Sequence, residues 1–149
     1  MHQRPNWDEY ALSLAITAAA RSEDPWRQVG ACALRHDNSV AATGYNGTIP
    51  GVIVDWSDRP NRQKYAIHAE RNCLNYVRPG ECRLIACHYM PCPECLKEIA
   101  LKRIPRIVYL EEYAVNGTEP VTEQVKELAK LFKIELVHLA NYPSTQKTS

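Results

Sequence analysis

Two short segments, His68-Ala69-Glu70 and Pro91-Cys92-Pro93-Glu94-Cys95, hold the residues best suited to chemistry in this chain. One imidazole and two thiols are donors that zinc accepts, and a catalytic zinc takes three protein ligands while its fourth position stays open to water. Glu70 is then left over as a carboxylate. If it served as a ligand it would close the shell. Left free beside a water whose pKa zinc lowers to about 7, it can move protons as a general acid and base. Those residue types point to metal-assisted hydrolysis, with Glu70 carrying protons between water and the reacting groups.

The elements that must position these groups follow from local signals. His68 and Cys92 each fall where a helix is expected to begin. Cys92 and Cys95 are three apart, so they share a face of the first turn. The positive ends of two helices favour thiolate over thiol at that point. A strand over Arg83 to His88 would bring the two helices side by side. H-x-E followed by P-C-x-x-C is the pattern of zinc deaminases acting on nucleobases, and either half alone is weak. The alternative is a structural zinc site closed by a fourth Cys or His. Cys73, Cys87 and His88 are the residues that could close it. Cys32 and Cys82 read as small buried apolar residues. His36 and His138 read as a turn and a strand residue, and His2 lies in a terminus.

Around the site, periodicity and turn chemistry predict an order αββ followed by αβαβαβ. A first helix is expected over Trp7 to Ser22, capped by Asn6 with Glu9 three residues on. Trp7, Tyr10, Ala11, Leu14, Ala15 and Ala18 fall on its apolar face. Asp24-Pro25 ends it. Val29 to Leu34 and Ser39 to Thr43 read as a hairpin about His36-Asp37-Asn38. Gly44 to Lys64 reads as a long loop, which in a small domain is usually functional. Further helices are expected over Ala66 to Val77, Cys92 to Lys102 and Val121 to Phe132, the last with Val121, Val125, Leu128 and Phe132 on one stripe. Strands are expected at Ile107 to Leu110 and Ile134 to Leu139, with a frayed polar tail after Tyr142. Alternating elements imply an α/β sheet, antiparallel in the hairpin and parallel where helices cross over.

The chain has 149 residues, enough for one domain with a real core. Its formal net charge is +1, whereas a nucleic-acid binder more often carries a basic excess. The six cysteines would suit disulfides in a secreted chain. Ala11 to Ala20 resembles the apolar part of a leader, but Asp8 and Glu9 stand before it instead of basic residues. The reading is a cytoplasmic protein with reduced thiols and no membrane span.

With those motifs quoted, the chain resembles the deoxycytidylate (dCMP) deaminase family, within the cytidine deaminase-like superfamily, from about Trp7 to Leu139. Arg21-Ser22-Glu23-Asp24-Pro25 followed by Gln28-Val29-Gly30-Ala31 is similar to that family's R-S-x-D-P and Q-V-G-A segments. Gly44-Tyr45-Asn46-Gly47 is similar to its G-Y-N-G turn. Free-nucleoside cytidine deaminases typically carry Cys where His68 stands. The resemblance implies a three-layer α/β/α fold with a mixed five-stranded sheet and helices on both faces. It implies Zn2+ on His68, Cys92 and Cys95, and Glu70 as proton shuttle. It implies Asn46 at the nucleotide sugar, Ala69 and Glu70 backbone at the pyrimidine edge, and Tyr113 as an aromatic near the active site. The implied reaction is dCMP to dUMP and ammonia, supplying dUMP for thymidylate synthesis. It also implies a homo-oligomer, often a hexamer, with dCTP and dTTP as effectors and Mg2+ on the triphosphate.

The residues themselves leave milder readings open. Asn46-Gly47 is a good turn by itself, and Tyr113 could simply pack at a strand end. Arg21 and Arg27 suit phosphate contact but are also ordinary surface residues. Gly47 belongs to the effector-holding segment that the resemblance implies. There the pattern G-Y-N-G-x-P-x-G becomes Gly44 to Gly51 with the proline displaced by one, at Pro50. The departure bears on allosteric control more than on catalysis. A deaminase acting on dCTP, or on a base in tRNA or single-stranded nucleic acid, and a silent zinc module are the competing functions.

Overall fold

Alternating residues along the central strands face opposite layers, and this divides the core in two. Cys32, Leu34, Leu84, Ala86 and Val108 pack with Ala11, Leu12 and Ala15 of the first helix. Ala31, Ala33, Ile85, Cys87, Ile107 and Tyr109 pack on the other side with Ala69, Cys73, Leu96, Ile99 and Val125. The period of two along a strand puts neighbouring side chains on opposite faces, so a sheet covered by helices on both sides is the outcome. In the computed structural model, which describes residues 2–112 and 119–142, this is a single five-stranded sheet in the order β2-β1-β3-β4-β5.

The elements run α1 (Trp7–Ala19), β1 (Gly30–Arg35), β2 (Val40–Tyr45), α2 (Arg59–Tyr65), α3 (Ala69–Leu74), β3 (Cys82–Tyr89), α4 (Pro93–Leu101), β4 (Arg106–Glu111), α5 (Glu119–Leu131) and β5 (Glu135–His138). β1 is antiparallel to both β2 and β3, and β3, β4 and β5 are parallel. The parallel pairs are the ones joined through α4 and α5, as crossover connections require. The mixed sheet with helices on both faces agrees with the expected fold class. The described helices include none long and apolar enough to cross a membrane, and all six cysteines are free thiols.

Three expectations are corrected. The stretch Gly44 to Lys64 contains a helix, α2, begun by Asp58, whose carboxylate accepts from Asn61 N, with Pro60 in its first turn. It buries no residue, so it carries no apolar stripe to betray it. The expected 66–77 helix is shorter and starts only after His68. The apolar faces are also rotated. On α1 the buried residues are Ala11, Leu12, Ala15 and Ala19, while Trp7 is 50% exposed. On α5 Val125 and Ala129 are buried, and Phe132, one residue past its end, is exposed. The Asn6–Glu9 capping box is present, with both reciprocal hydrogen bonds at 2.8 and 2.9 Å.

Candidate active site

His68 and Cys92 occupy the cap positions that open α3 and α4. Ser, Thr, Asp and Asn are the residues that usually stand there. His68 makes no side-chain cap bond. Its Nδ1 instead lies 3.3 Å from Cys95 Sγ and 3.6 Å from Cys92 Sγ. Cys92 Sγ also accepts from Cys95 N at 3.5 Å, so this sulfur caps α4 while facing the imidazole. β3 lies between the two helices in sequence, and its end at Tyr89 delivers the chain to Pro91 and Cys92.

The ligand atoms of His68, Cys92 and Cys95 all lie within 4.8 Å of one another, and among the described residues they are the one His/Cys/Asp/Glu group so gathered. A tetrahedral zinc with Zn–N and Zn–S bonds of about 2.0 and 2.3 Å sets nitrogen and sulfur about 3.6 Å apart. The observed separations of 3.3 and 3.6 Å fit that edge. The donor set and its spacing therefore suit Zn2+. The residues that could have closed the shell are elsewhere. Cys73 Sγ contacts Ala42 O at 3.5 Å, Cys87 is wholly buried in the core, and His88 Nε2 lies 3.6 Å from Glu111.

Electrostatics at the cluster follow from burial and proximity. The hydrogen bond from Cys95, with His68 nearby, draws Cys92 down to about 4, and the same bond with burial pushes Cys95 far up. The Cys92 contact raises His68 against the opposing effect of burial. Glu70 is 3% exposed, and burial pushes its carboxyl up to about 7. A carboxyl that exchanges its proton near neutrality is suited to general acid–base work.

These residues open into a cleft of about 440 Å³ lined by His68, Ala69, Glu70 and Cys92 together with Asp24, Arg27, Asn46 and Arg62. That volume lies within the range of small-molecule sites. Of the residues expected near a substrate, Asn46, Ala69 and Arg27 line this cleft. Arg21 does not; it is exposed and its guanidinium lies 5.9 Å from the Tyr45 ring centre. Gly47 lines a second cleft and bridges to Ile67. Tyr113 lies outside the described residues. Asn46 is tied down on both polar atoms. Its Oδ1 accepts from Val29 N at 2.9 Å, and its Nδ2 donates to Arg27 O at 2.8 Å and Asp24 Oδ2 at 3.3 Å.

Nothing in the sequence pairs Asp24 with Arg62. Asp24 is 1% exposed and its carboxylate pairs with Arg62 Nε at 2.6 Å. Asp24-Pro25 reads as a helix stop and as part of the family-like Arg21-to-Pro25 segment, and Arg62 lies in a stretch that reads as loop.

A mixed sheet covered on both faces, with a His/Cys/Cys cluster at two helix starts and a buried carboxyl beside it, defines a zinc site on the cytidine deaminase-like fold. The same fold is seen in the dCMP deaminase of cyanophage S-TIM5, crystallised with dCMP and dUMP, at a TM-score of 0.70 and 23% identity, covering 93% of this chain and all of that one. Residues 5–111 match the family described as the cytidine and deoxycytidylate deaminase zinc-binding region, and the chain belongs to that family. It is 37% identical over 129 residues to the deoxycytidylate deaminase of Mycobacterium phage D29, covering 73% of this chain and 98% of that protein. It is 32% identical over 130 residues to the probable deoxycytidylate deaminase of Drosophila melanogaster, covering 76% of this chain and 64% of that one. The human deoxycytidylate deaminase is 30% identical over 117 residues, covering 71% of this chain and 65% of that protein. The chain thus spans just under two thirds of the length of the fly and human relatives.

Proposed function

We propose that this chain hydrolyses dCMP to dUMP and ammonia. The observation that carries the reading is the three-ligand cluster with Glu70 buried beside it on the wall of a cleft of about 440 Å³. His68 Nδ1 and the Cys92 and Cys95 Sγ atoms would hold Zn2+. When bound in such a site, zinc acts as a Lewis acid and lowers the pKa of water to about 7.

The remaining work falls to the chain. Water is the nucleophile, and its oxygen bonds to C4 of the cytosine ring. Glu70 accepts the water proton on a carboxylate oxygen and passes it to ring N3. A second proton reaches the amino group through the same carboxyl, the C4–N4 bond breaks, and ammonia leaves. Ala69, wholly buried beside Glu70, presents backbone to the edge of the ring. Asn46 holds the segment from Asp24 to Val29 against the cleft, so its bearing on the sugar is through that wall as well as by contact. The half-buried walls of the cleft limit bulk water around the reacting carbon.

Regulation by dCTP and dTTP with Mg2+, and assembly into a homo-oligomer, belong to the same family reading. The second cleft, of about 590 Å³ beside Gly47, Thr48 and Arg71, is the place such an effector would use.

The test is ammonia release from the zinc-loaded protein given dCMP, dCTP or deoxycytidine separately. Release from dCMP far above the other two is expected. Release from dCTP as well would widen the substrate class, and no release from any of them would overturn the proposal.

A further inference from the structure

Arg62 sits on α2 with its side chain 17% exposed, and it lines the same cleft as Glu70 and Cys92. Its Nε donates to Asp24 Oδ2 at 2.6 Å. Asp24 is itself fixed from several sides. Its Oδ1 accepts from Trp26 N at 2.8 Å and Arg27 N at 3.4 Å, and its Oδ2 also takes Asn46 Nδ2 at 3.3 Å. A buried carboxylate so held aims the guanidinium and leaves it little freedom. The pairing uses only the Nε edge. Among the described residues the two Nη atoms make no hydrogen bond.

A buried ion pair is weak evidence of stability, since desolvating two charges offsets most of their attraction. A guanidinium with one edge pinned and a forked edge left over is suited to bidentate recognition of phosphate. Arg27 lines the same cleft, with its guanidinium 4.9 Å from the Tyr89 ring centre. Two arginines thus line the cleft that His68, Cys92 and Glu70 also line. A pyrimidine nucleotide needs both kinds of partner, a reacting site for its base and a cation for its phosphate.

We infer that Arg62, oriented by Asp24, reads the 5′-phosphate and gives the chain its preference for a nucleotide over the nucleoside. This rests on the dCMP reading above. Arg62 is a specificity residue in this assignment, and Asp24 is its positioning residue.

The test is calorimetric binding of dUMP and of deoxyuridine to the zinc-loaded protein and to Arg62→Gln and Arg62→Lys. The quantity read is the ratio of the two affinities. Arg62→Gln should lower that ratio about 10- to 100-fold, the effect of losing a charge-assisted hydrogen bond. Arg62→Lys keeps a cation for Asp24 but loses the fork, and its ratio should fall between the two. If Arg62→Gln does not fold, Arg62→Lys carries the test alone. A ratio unchanged from wild type in either folded variant would overturn the inference, even where both affinities drop, because equal loss marks a purely structural residue. A wild-type protein with no preference for dUMP would overturn it too. A wild-type protein that prefers dUMP but releases no ammonia from dCMP would overturn the proposed reaction and leave the Arg62 assignment standing.

Discussion

Replacing Gly44 by alanine should damage the site from behind. Gly44 lies in β2 with its back to α3. A methyl group there would sit 2.5 Å from Cys73 N, 2.7 Å from Ala69 O and 2.9 Å from Cys73 Cα. Ordinary contact begins near 3.4 Å, so α3 would have to retreat by about 0.9 Å, because backbone atoms cannot rotate aside as a side chain does. The φ of Gly44 is outside the left-handed region, which leaves crowding as the whole effect. Overpacking of this kind costs about 1–3 kcal/mol. At about 2–4 °C per kcal/mol for a chain of this size, Tm should fall by about 2–12 °C. α3 carries Glu70 and begins at His68, and a misplacement of about 1 Å costs on the order of 100-fold in rate. Thermal unfolding followed by circular dichroism, with ammonia release from dCMP measured well below the lowered Tm, separates the two effects. We expect kcat/KM to fall by about 10- to 100-fold in the folded protein. Wild-type Tm and wild-type turnover together would refute the reasoning that the seat of α3 on β2 sets the site geometry.

Two further outcomes follow from the structure. Asn6→Ala removes the capping box on α1 and should cost about 1 kcal/mol, or about 2–4 °C in Tm. Turnover below Tm should stay within about two-fold of wild type, since α1 packs on the face of the sheet opposite α3 and α4. A larger loss of activity would contradict that layering. Zinc affinity should weaken in acid, because bound ligands must shed their protons. Cys95 holds its proton through the neutral range and His68 titrates above its usual 6.5. The affinity, followed by competition with a chromophoric chelator, should therefore fall more steeply as pH drops through the His68 transition, and a pH-independent affinity would contradict the ligand set.

The parts of this molecule legible in the sequence are those specified by near neighbours. Asn6 and Glu9 announce the start of α1 because both partners lie within one turn. His68, Cys92 and Cys95 announce themselves because their spacing matches helix starts, and the strand between them fixes the pairing. Parallel and antiparallel strands follow from which connections contain helices. The remainder depends on contacts distant in sequence. α2 has no buried side chain, so periodicity is silent and only Asp58 and Pro60 mark it. Trp7 has the right spacing for the α1 stripe, yet the sheet meets the helix through Ala11, Leu12 and Ala15 and leaves the indole half outside. Asp24 reads as a helix stop until the fold brings Arg62 to it from 38 residues away. The first glycine of Gly44-Tyr45-Asn46-Gly47 reads as turn chemistry, and only the packed structure shows the α3 backbone lying against it.

Glu70→Gln asks whether the buried carboxyl carries the protons of the reaction. The substitution is nearly isosteric at a buried position and leaves His68, Cys92 and Cys95 in place. Zinc content and ammonia release from dCMP would be measured on the same sample. One zinc per chain, a wild-type fold and turnover reduced to near background are expected. Wild-type turnover in that variant would contradict the role given to Glu70 and the reaction built on it.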